Sequence, residues 1–334
     1  MNSLTRAILS WLIVVPLLHG TATAQAPPDC TRMDLERPVV GASLVVDALV
    51  GQAVFQSSEG SYPLGGIEGL CIAIVEPASR QLVVIGTTGD RGMFDIATPS
   101  AGQYLLIATH SDLGGIGAHV AVRPDSSTPG VRTGLLLRLS GDAKSYATQI
   151  RHLELRGELL RRLKVDQDVR NELIQAGMTS PDPLIQSRMQ EIDASNTSRL
   201  LEVVAEFGWP APELVGHDGA EAAFILLQHA EYAPQKQVFP LVEAAYHSSQ
   251  ASGQSFALLK DRILVREGKP QVYGTQARPT DEWIDGEPIF YEIEDRSSVD
   301  ERRADVGLRP LAEYAAVMKD LYFPASESQE HRPD

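Results

Sequence analysis

Cys71-Ile72-Ala73-Ile74-Val75 and Gln81-Leu82-Val83-Val84 are two apolar, largely β-branched runs, joined by the polar segment Glu76-Pro77-Ala78-Ser79-Arg80. Runs of this length and make-up read as strands, and the Pro and Ser between them read as a turn, so the stretch is a hairpin. Working outward, Ser43–Val50, Gly92–Ile96, Gln103–Thr109, His119–Arg123 and Gly134–Leu139 repeat the pattern of Gly69–Glu76 and Gln81–Thr87. About seven short strands, with turn signals roughly every 8–12 residues, predict an all-β sandwich over residues 40–140. Gly65-Gly66-Ile67-Glu68-Gly69 precedes a strand, whereas a phosphate loop follows one and opens a helix, so it reads as a turn. His110 and His119 flank Gly114-Gly115-Ile116-Gly117, which reads as a solvated loop.

Past Ser140-Gly141-Asp142 the period changes from two to that of a helix. Residues 145–177 form a long helical pattern with Arg156, Leu159, Leu163, Asp166, Gln167, Arg170 and Leu173 on or near one stripe, ended by Gly177 before Pro181 and Pro183. A second helix runs from Pro183 to Phe207, where Gly208-Trp209-Pro210 stops it. Ala220–Glu231 (AEAAFILLQHAE) is apolar all round over six residues, the signature of a centrally buried helix, with Gln228 and His229 in its last turn. Helical patterns follow at Phe239–Ser248 and Ser255–Arg266. Gln271–Gln276 (QVYGTQ) and Ile289–Ile293 alternate as a small β-hairpin. Ser298-x-x-Glu301 reads as a capping box, and Pro310 opens a last helix reaching about Tyr322. The expected class is therefore multidomain: a β-sandwich, then a mainly α-helical domain over 145–323, then a disordered tail at 324–334.

Residues 1–24 read as a secretory signal peptide: Arg6, the apolar run Ala7–Leu18, and Ala22-Thr23-Ala24 as the cleavage site, with cleavage after Ala24. Twelve apolar residues interrupted by Pro16 do not span a bilayer that needs roughly 20, so no membrane span is expected and the protein is read as exported, to the periplasm or beyond the cell. Residues 25–39 form an N-terminal arm. Of the 334 residues 29 are basic and 44 acidic, a net charge of −15, with no basic block; this excludes a nucleic-acid binder. Ten of the carboxylates lie between Asp281 and Asp305, which reads as a solvated face, since no D-x-D-x-D-G loop occurs. Cys30 and Cys71 either pair, pinning the arm to the sheet, or remain separate thiols. With no His cluster beside them they form no zinc site, and no HExxH or GxSxG motif appears; no metal and no cofactor are assigned.

What the helical part does offer is a set of polar residues on faces that helices bury. An unpartnered polar group in such a place costs on the order of 1–3 kcal/mol, so partners are expected. Asp166, Gln167, Arg170, Trp209, Gln228, His229, Asp261, Arg262, Tyr273, Gln276, Arg302 and Arg303 form the candidate set. Three readings stay open. In the first they line a ligand pocket, with arginines pairing planar anions, Trp209 as a floor, and a small molecule or a protein as partner. In the second, His229 is a general base oriented by Asp166 or Asp261 in a hydrolase. In the third they are a buried network that fixes the helical packing.

Two resemblances accompany these readings. Thr88-x-Asp90-x-Gly92-x-Phe94 followed by Gly102-x-Tyr104-x-Leu106 resembles carboxypeptidase regulatory-like domains, prealbumin-like sandwiches, over residues 64–125, which implies an accessory or spacer module without catalysis. The ordered series Asp166-Gln167-x-x-Arg170, Gly208-Trp209-Pro210, Gly216, Gln228-His229, Asp261-Arg262, Gln271-x-Tyr273-Gly274-Thr275-Gln276, Asp300-x-Arg302-Arg303 and Gly307-Leu308 resembles an uncharacterised bacterial domain of unknown function, common in exported proteins, over residues 150–322. That resemblance implies the domain and its polar set, and no activity.

Overall fold

The computed structural model describes residues 30, 33–37, 39, 43–55, 65–111, 113–123, 132–139, 146–175, 182–279 and 282–322. The signal segment, the expected boundary at Ser140–Asp142, the helix end at Gly177 and the tail at 324–334 lie outside them.

Ten strands come first: β1 (Leu44–Val46), β2 (Val50–Phe55), β3 (Gly65–Gly66), β4 (Cys71–Val75), β5 (Leu82–Thr87), β6 (Met93–Asp95), β7 (Gly102–His110), β8 (Gly114–Val122), β9 (Gly134–Leu139) and β10 (Tyr146–Ile150). One sheet runs β1-β8-β7-β4-β5; the other runs β10-β9-β2-β3, with β6 also pairing β2. The β1–β8 and β2–β9 pairs are parallel and the rest antiparallel, so both sheets are mixed. Their facing sides share one core of Val46, Leu49, Ile72, Leu106, Leu135, Leu137 and Phe94. On the outer side of the first sheet, Ala73, Val75, Leu105 and Ile107 are covered by Met33, Leu35 and Val39 of the N-terminal arm, and Cys30 is bonded to Cys71 with the Cα atoms 5.5 Å apart.

Three local expectations change. Gly114–Gly117 belongs to β8, not to a loop, and His110 of β7 pairs with Gly114. Gly65-Gly66 pairs with Phe55 and Val54 as the short strand β3. Tyr146–Ile150, expected as the start of the first long helix, is a strand antiparallel to β9, as its Tyr, Thr and Ile favour.

Seven helices follow: α1 (Leu153–Gln175), α2 (Pro183–Phe207), α3 (Pro212–Gln228), α4 (Tyr232–His247), α5 (Gly253–Arg266), α6 (Val299–Asp305) and α7 (Leu311–Tyr322). The side chain of Asp182 caps α2 and that of Ser252 caps α5, each accepting from a first-turn N–H. Ser298 makes no capping bond; its hydroxyl instead bonds Asp295, so the expected capping box is absent. The pair expected as a hairpin meets through isolated bridges, Gln271 with Ile293 in parallel and Ala277 with Phe290 antiparallel, which is a pinned loop and not a ladder. The helix read from Ala220 begins earlier, at Pro212, and bends at Gly216. Ala222, Ala223, Leu226 and Leu227 put α3 at the centre of the helical core, against Leu155 and Leu159 of α1, Leu200 and Val203 of α2, Val238 and Val242 of α4, and Leu259 and Ile263 of α5.

The two parts are packed together. Arg151 and His152 N–H donate to the Glu213 and Leu214 carbonyls, and Leu153 N–H donates to the Arg132 carbonyl, so the start of α1 is held from both sides. Gln52 of β2 accepts from the backbone N–H groups of His217 and Asp218 in α3. Beside it Arg156 of α1 and Asp218 form a buried bidentate ion pair, Nε to Oδ1 at 3.0 Å and Nη2 to Oδ2 at 2.7 Å.

Candidate functional site

Arg170 lies one turn beyond Asp166 on α1, so both side chains point at the same neighbours. Its Nη1 donates to Asp166 Oδ1 at 2.8 Å, and its Nη2 donates to both oxygens of Asp193 on α2, at 2.8 and 3.0 Å. His229 follows the last turn of α3 and brings Nδ1 to 2.9 Å from the same Asp166 Oδ1. Gln167 Nε2 donates to Asp166 Oδ2 at 2.8 Å. Asp166 has no exposed surface and His229 almost none.

Two carboxylates share one guanidinium, and the electrostatics follow. Burial pushes Asp193 up to about 6; Arg170 opposes the rise and the negative charge of Asp166 adds to it. Burial also pushes Asp166 upward, but the bonds and charges of His229, Arg170 and Gln167 outweigh it and hold the carboxyl below its usual range. Burial pulls His229 down, Asp166 opposes, and Arg170 and Arg262 reinforce the fall. At neutral pH the ring is therefore neutral. Its Nδ1–H faces a carboxylate, which leaves the lone pair on Nε2 as an acceptor or base.

Asp166, Asp193 and His229 offer ligand atoms within 4.8 Å of one another, the donor types that hold a divalent ion. Arg170 already supplies the positive charge there and occupies oxygens of both carboxylates, so a cation has to displace a buried guanidinium. The set is better filled by Arg170 than by a metal.

Asp261 stands elsewhere and does different work. Its Oδ1 accepts from Val272 N–H at 2.7 Å and Tyr273 N–H at 3.1 Å; its Oδ2 accepts from the Thr275 N–H and the Thr275 hydroxyl, each at 3.0 Å. It does not touch His229; Asp166 is the carboxylate that orients the imidazole. Gln271 closes the same loop by donating to the Gln276 and Tyr291 carbonyls while accepting from Gln276 N–H. Gly274 adopts φ 67°, a left-handed turn that suits glycine. Arg303, without exposed surface, donates to the Tyr273 and Arg309 carbonyls and lies 5.0 Å over the Tyr314 ring. Arg302 donates to the Val272 and Asp295 carbonyls and to the Ser298 hydroxyl. Tyr273 contributes its backbone to this frame and its ring to the Phe256 contact. Asp261, Tyr273, Arg302 and Arg303 thus serve the loop.

Arg262 links the two groups. Its Nη1 donates to the Gln228 carbonyl at 2.5 Å and its Nε reaches Gln276 Oε1 at 3.4 Å. Gln235, 1% exposed, donates from one amide to the Leu227, Gln228 and Ala230 carbonyls and so closes the end of α3. The Nε2 of Gln228 is buried and has no partner among the described residues. A polar seam therefore runs from Asp193 through Arg170, Asp166, His229, Gln228 and Arg262 to Gln276 and the loop. Trp209, expected as a floor, is half-buried and packs against the helical core.

Asp193, Gln235 and the pairing of Arg156 with Asp218 lie outside the candidate set, although Arg156 stands on the helical stripe that the sequence defines. A separate open cavity of about 360 Å³ lies between α1 and α2, lined by Arg161, Arg162, Val165, Arg188, Ile192 and Asn196, and holds none of the expected site residues. Asn196 Nδ2 is buried there without a partner among the described residues.

A β-sheet unit joined to a helical domain with a charged seam through its centre is the class of protein these observations define. The chain belongs to DUF6624, a family of unknown function, which matches residues 153–325, starting at the first residue of α1. No curated protein and no solved structure matches the chain. Among the described residues, no helix is long and apolar enough to cross a membrane.

Proposed function

We propose that this is an exported two-part protein whose helical domain binds a small polar ligand at the end of α3, with His229 as a contact and the β-sandwich as a firmly joined accessory unit. The observation that carries the reading is the incomplete pairing at Gln228-His229: a buried amide Nε2 without a partner beside a neutral imidazole whose Nδ1 is fixed on Asp166. Buried polar groups are otherwise nearly always paired, and a site built to bind is where exceptions belong. The completed bonding around Asp261 supports a framing role for that half, as in the network reading, applied to the loop alone. Export is supported by the leader-like residues 1–24 and by the Cys30–Cys71 bond, which suits an oxidising compartment.

The test is a thermal-shift screen of the wild-type chain and His229→Ala against a panel of polar metabolites and divalent metals. A shift seen with the wild type and lost in the variant supports the reading. No shift from any member, or an equal shift in both proteins, overturns it.

A further inference from the structure

The charge balance of the seam narrows the ligand. Arg262 is 8% exposed, and its partners are a backbone carbonyl and an amide oxygen, both neutral. Among the described residues no carboxylate pairs with it, in contrast to Arg156 with Asp218, Arg170 with Asp166 and Asp193, and Arg199 with Glu158. A buried cation without a counter-ion is expensive; Arg303, equally without a carboxylate, is held by two carbonyls and lies over the Tyr314 ring, whereas Arg262 keeps one firm carbonyl bond and a long amide contact. Burial, with the charge of Arg266 adding to it and Tyr314 opposing, pulls the guanidinium down to about 10.

The geometry says where the charge would sit. Nη1 is committed to the Gln228 carbonyl, which fixes the plane of the guanidinium. Among the described residues the opposite edge, Nε with Nη2, holds only the 3.4 Å contact to Gln276, the longer of the two. That edge is the fork that receives a planar or tetrahedral oxyanion through two parallel bonds. The chain segment that anchors Nη1 also carries the unpartnered Gln228 Nε2, a further donor.

Resting on the binding reading above, we infer that the ligand is a small oxyanion-bearing molecule, a carboxylate or a phosphate, whose charged end is held by Arg262 and Gln228 after it displaces the Gln276 amide from the Nε edge. His229 Nε2, an acceptor, would take a hydroxyl or N–H from the uncharged part of the same molecule.

The experiment uses the full chain at constant ionic strength, in titrations with acetate, inorganic phosphate and the neutral isostere acetamide. Melting temperature is followed in wild type, Gln228→Leu, Arg262→Met and, as a control, Arg199→Met, a half-buried arginine outside the seam. The expected result is a saturable rise with acetate or phosphate, the stronger of the two identifying the source, with none for acetamide. The apparent affinity should fall about tenfold in Gln228→Leu, vanish in Arg262→Met, and persist in Arg199→Met. If Arg262→Met does not fold, Gln228→Leu carries the comparison. Equal shifts with acetamide and acetate, or shifts indifferent to both seam substitutions, overturn the anion inference and leave the binding reading standing. Absence of any shift with the three probes, together with a silent metabolite panel, removes the binding reading itself.

Discussion

Replacing Asp261 separates a frame from a catalyst. The carboxylate is fully buried and accepts from four donors, the N–H groups of Val272, Tyr273 and Thr275 and the Thr275 hydroxyl. Asp261→Ala leaves all four without an acceptor. At roughly 1–3 kcal/mol for each orphaned buried donor, the sum exceeds what relaxation and entering water would allow to remain. Relaxation and entering water offset part of that sum, and a net loss of about 3–5 kcal/mol is expected. Asp261→Asn keeps the oxygen facing Val272 and Tyr273 but turns a donor toward Thr275, so about half that loss is expected. Against a total stability of roughly 5–15 kcal/mol, the alanine loss is severe. At about 2–4 °C per kcal/mol it lowers the melting temperature by roughly 6–20 °C. Urea unfolding followed by far-UV circular dichroism measures both variants. Ala and Asn variants that each stay within about 0.5 kcal/mol of wild type would show that Asp261 does not frame the loop.

Three further outcomes follow from the geometry. Arg156→Met strands the buried Asp218 carboxylate and should cost about 3–5 kcal/mol, while Arg156→Met with Asp218→Leu should recover most of it; no recovery in the double variant would contradict the ion-pair account. Opening the Cys30–Cys71 bond frees a loop of 41 residues and releases the arm from Val75 and Ile107, so Cys30→Ser, or reductant, should cost about 4 kcal/mol; identical melting with and without reductant would show that the bond does not constrain the arm. Asp193 is raised to about 6, above its unfolded value, so the native state binds the proton more tightly. Its contribution is fully present below about pH 4 and is lost as pH rises through about 6, and Asp193→Asn should flatten the wild-type stability profile across that window; an unchanged slope would place the titration elsewhere.

How much of this was legible in the sequence depends on how local each cause is. The hairpin of β4 and β5 and the burial of α3 declare themselves because β-branched alternation and an all-apolar run need no distant partner. Strand β2 (VGQAVF) is the contrary case. Gly51 and Gln52 weaken its strand signal, yet both answer to remote contacts: a Cβ at Gly51 would fall 1.8 Å from the Leu135 carbonyl oxygen, and the Gln52 amide serves α3 across the domain junction. Asp193 is equally silent, a polar residue in an ordinary helical stretch until α2 packs on α1 and sets it against Arg170.

Asp166 and Asp261 carry the lesson furthest, since both are fully buried aspartates that the sequence put forward as partners for His229. What divides them is what surrounds each carboxylate. Asp261 is ringed by backbone N–H groups and a hydroxyl, none of which can change charge near neutrality, so it can hold a loop but cannot pass a proton on. Asp166 touches an imidazole and a guanidinium, and through Arg170 it senses a second carboxylate that titrates near pH 6. Only the second environment can respond when charge arrives nearby. A ligand charge placed at Arg262 would be felt at once by His229, whose ionisation Arg262 already depresses. An anion there would ease that depression and raise the basicity of the imidazole. Were an anion held at Arg262, its binding and the proton affinity of His229 would be linked through the end of α3, and that coupling would be a property of the Asp166 environment which the Asp261 environment cannot reproduce.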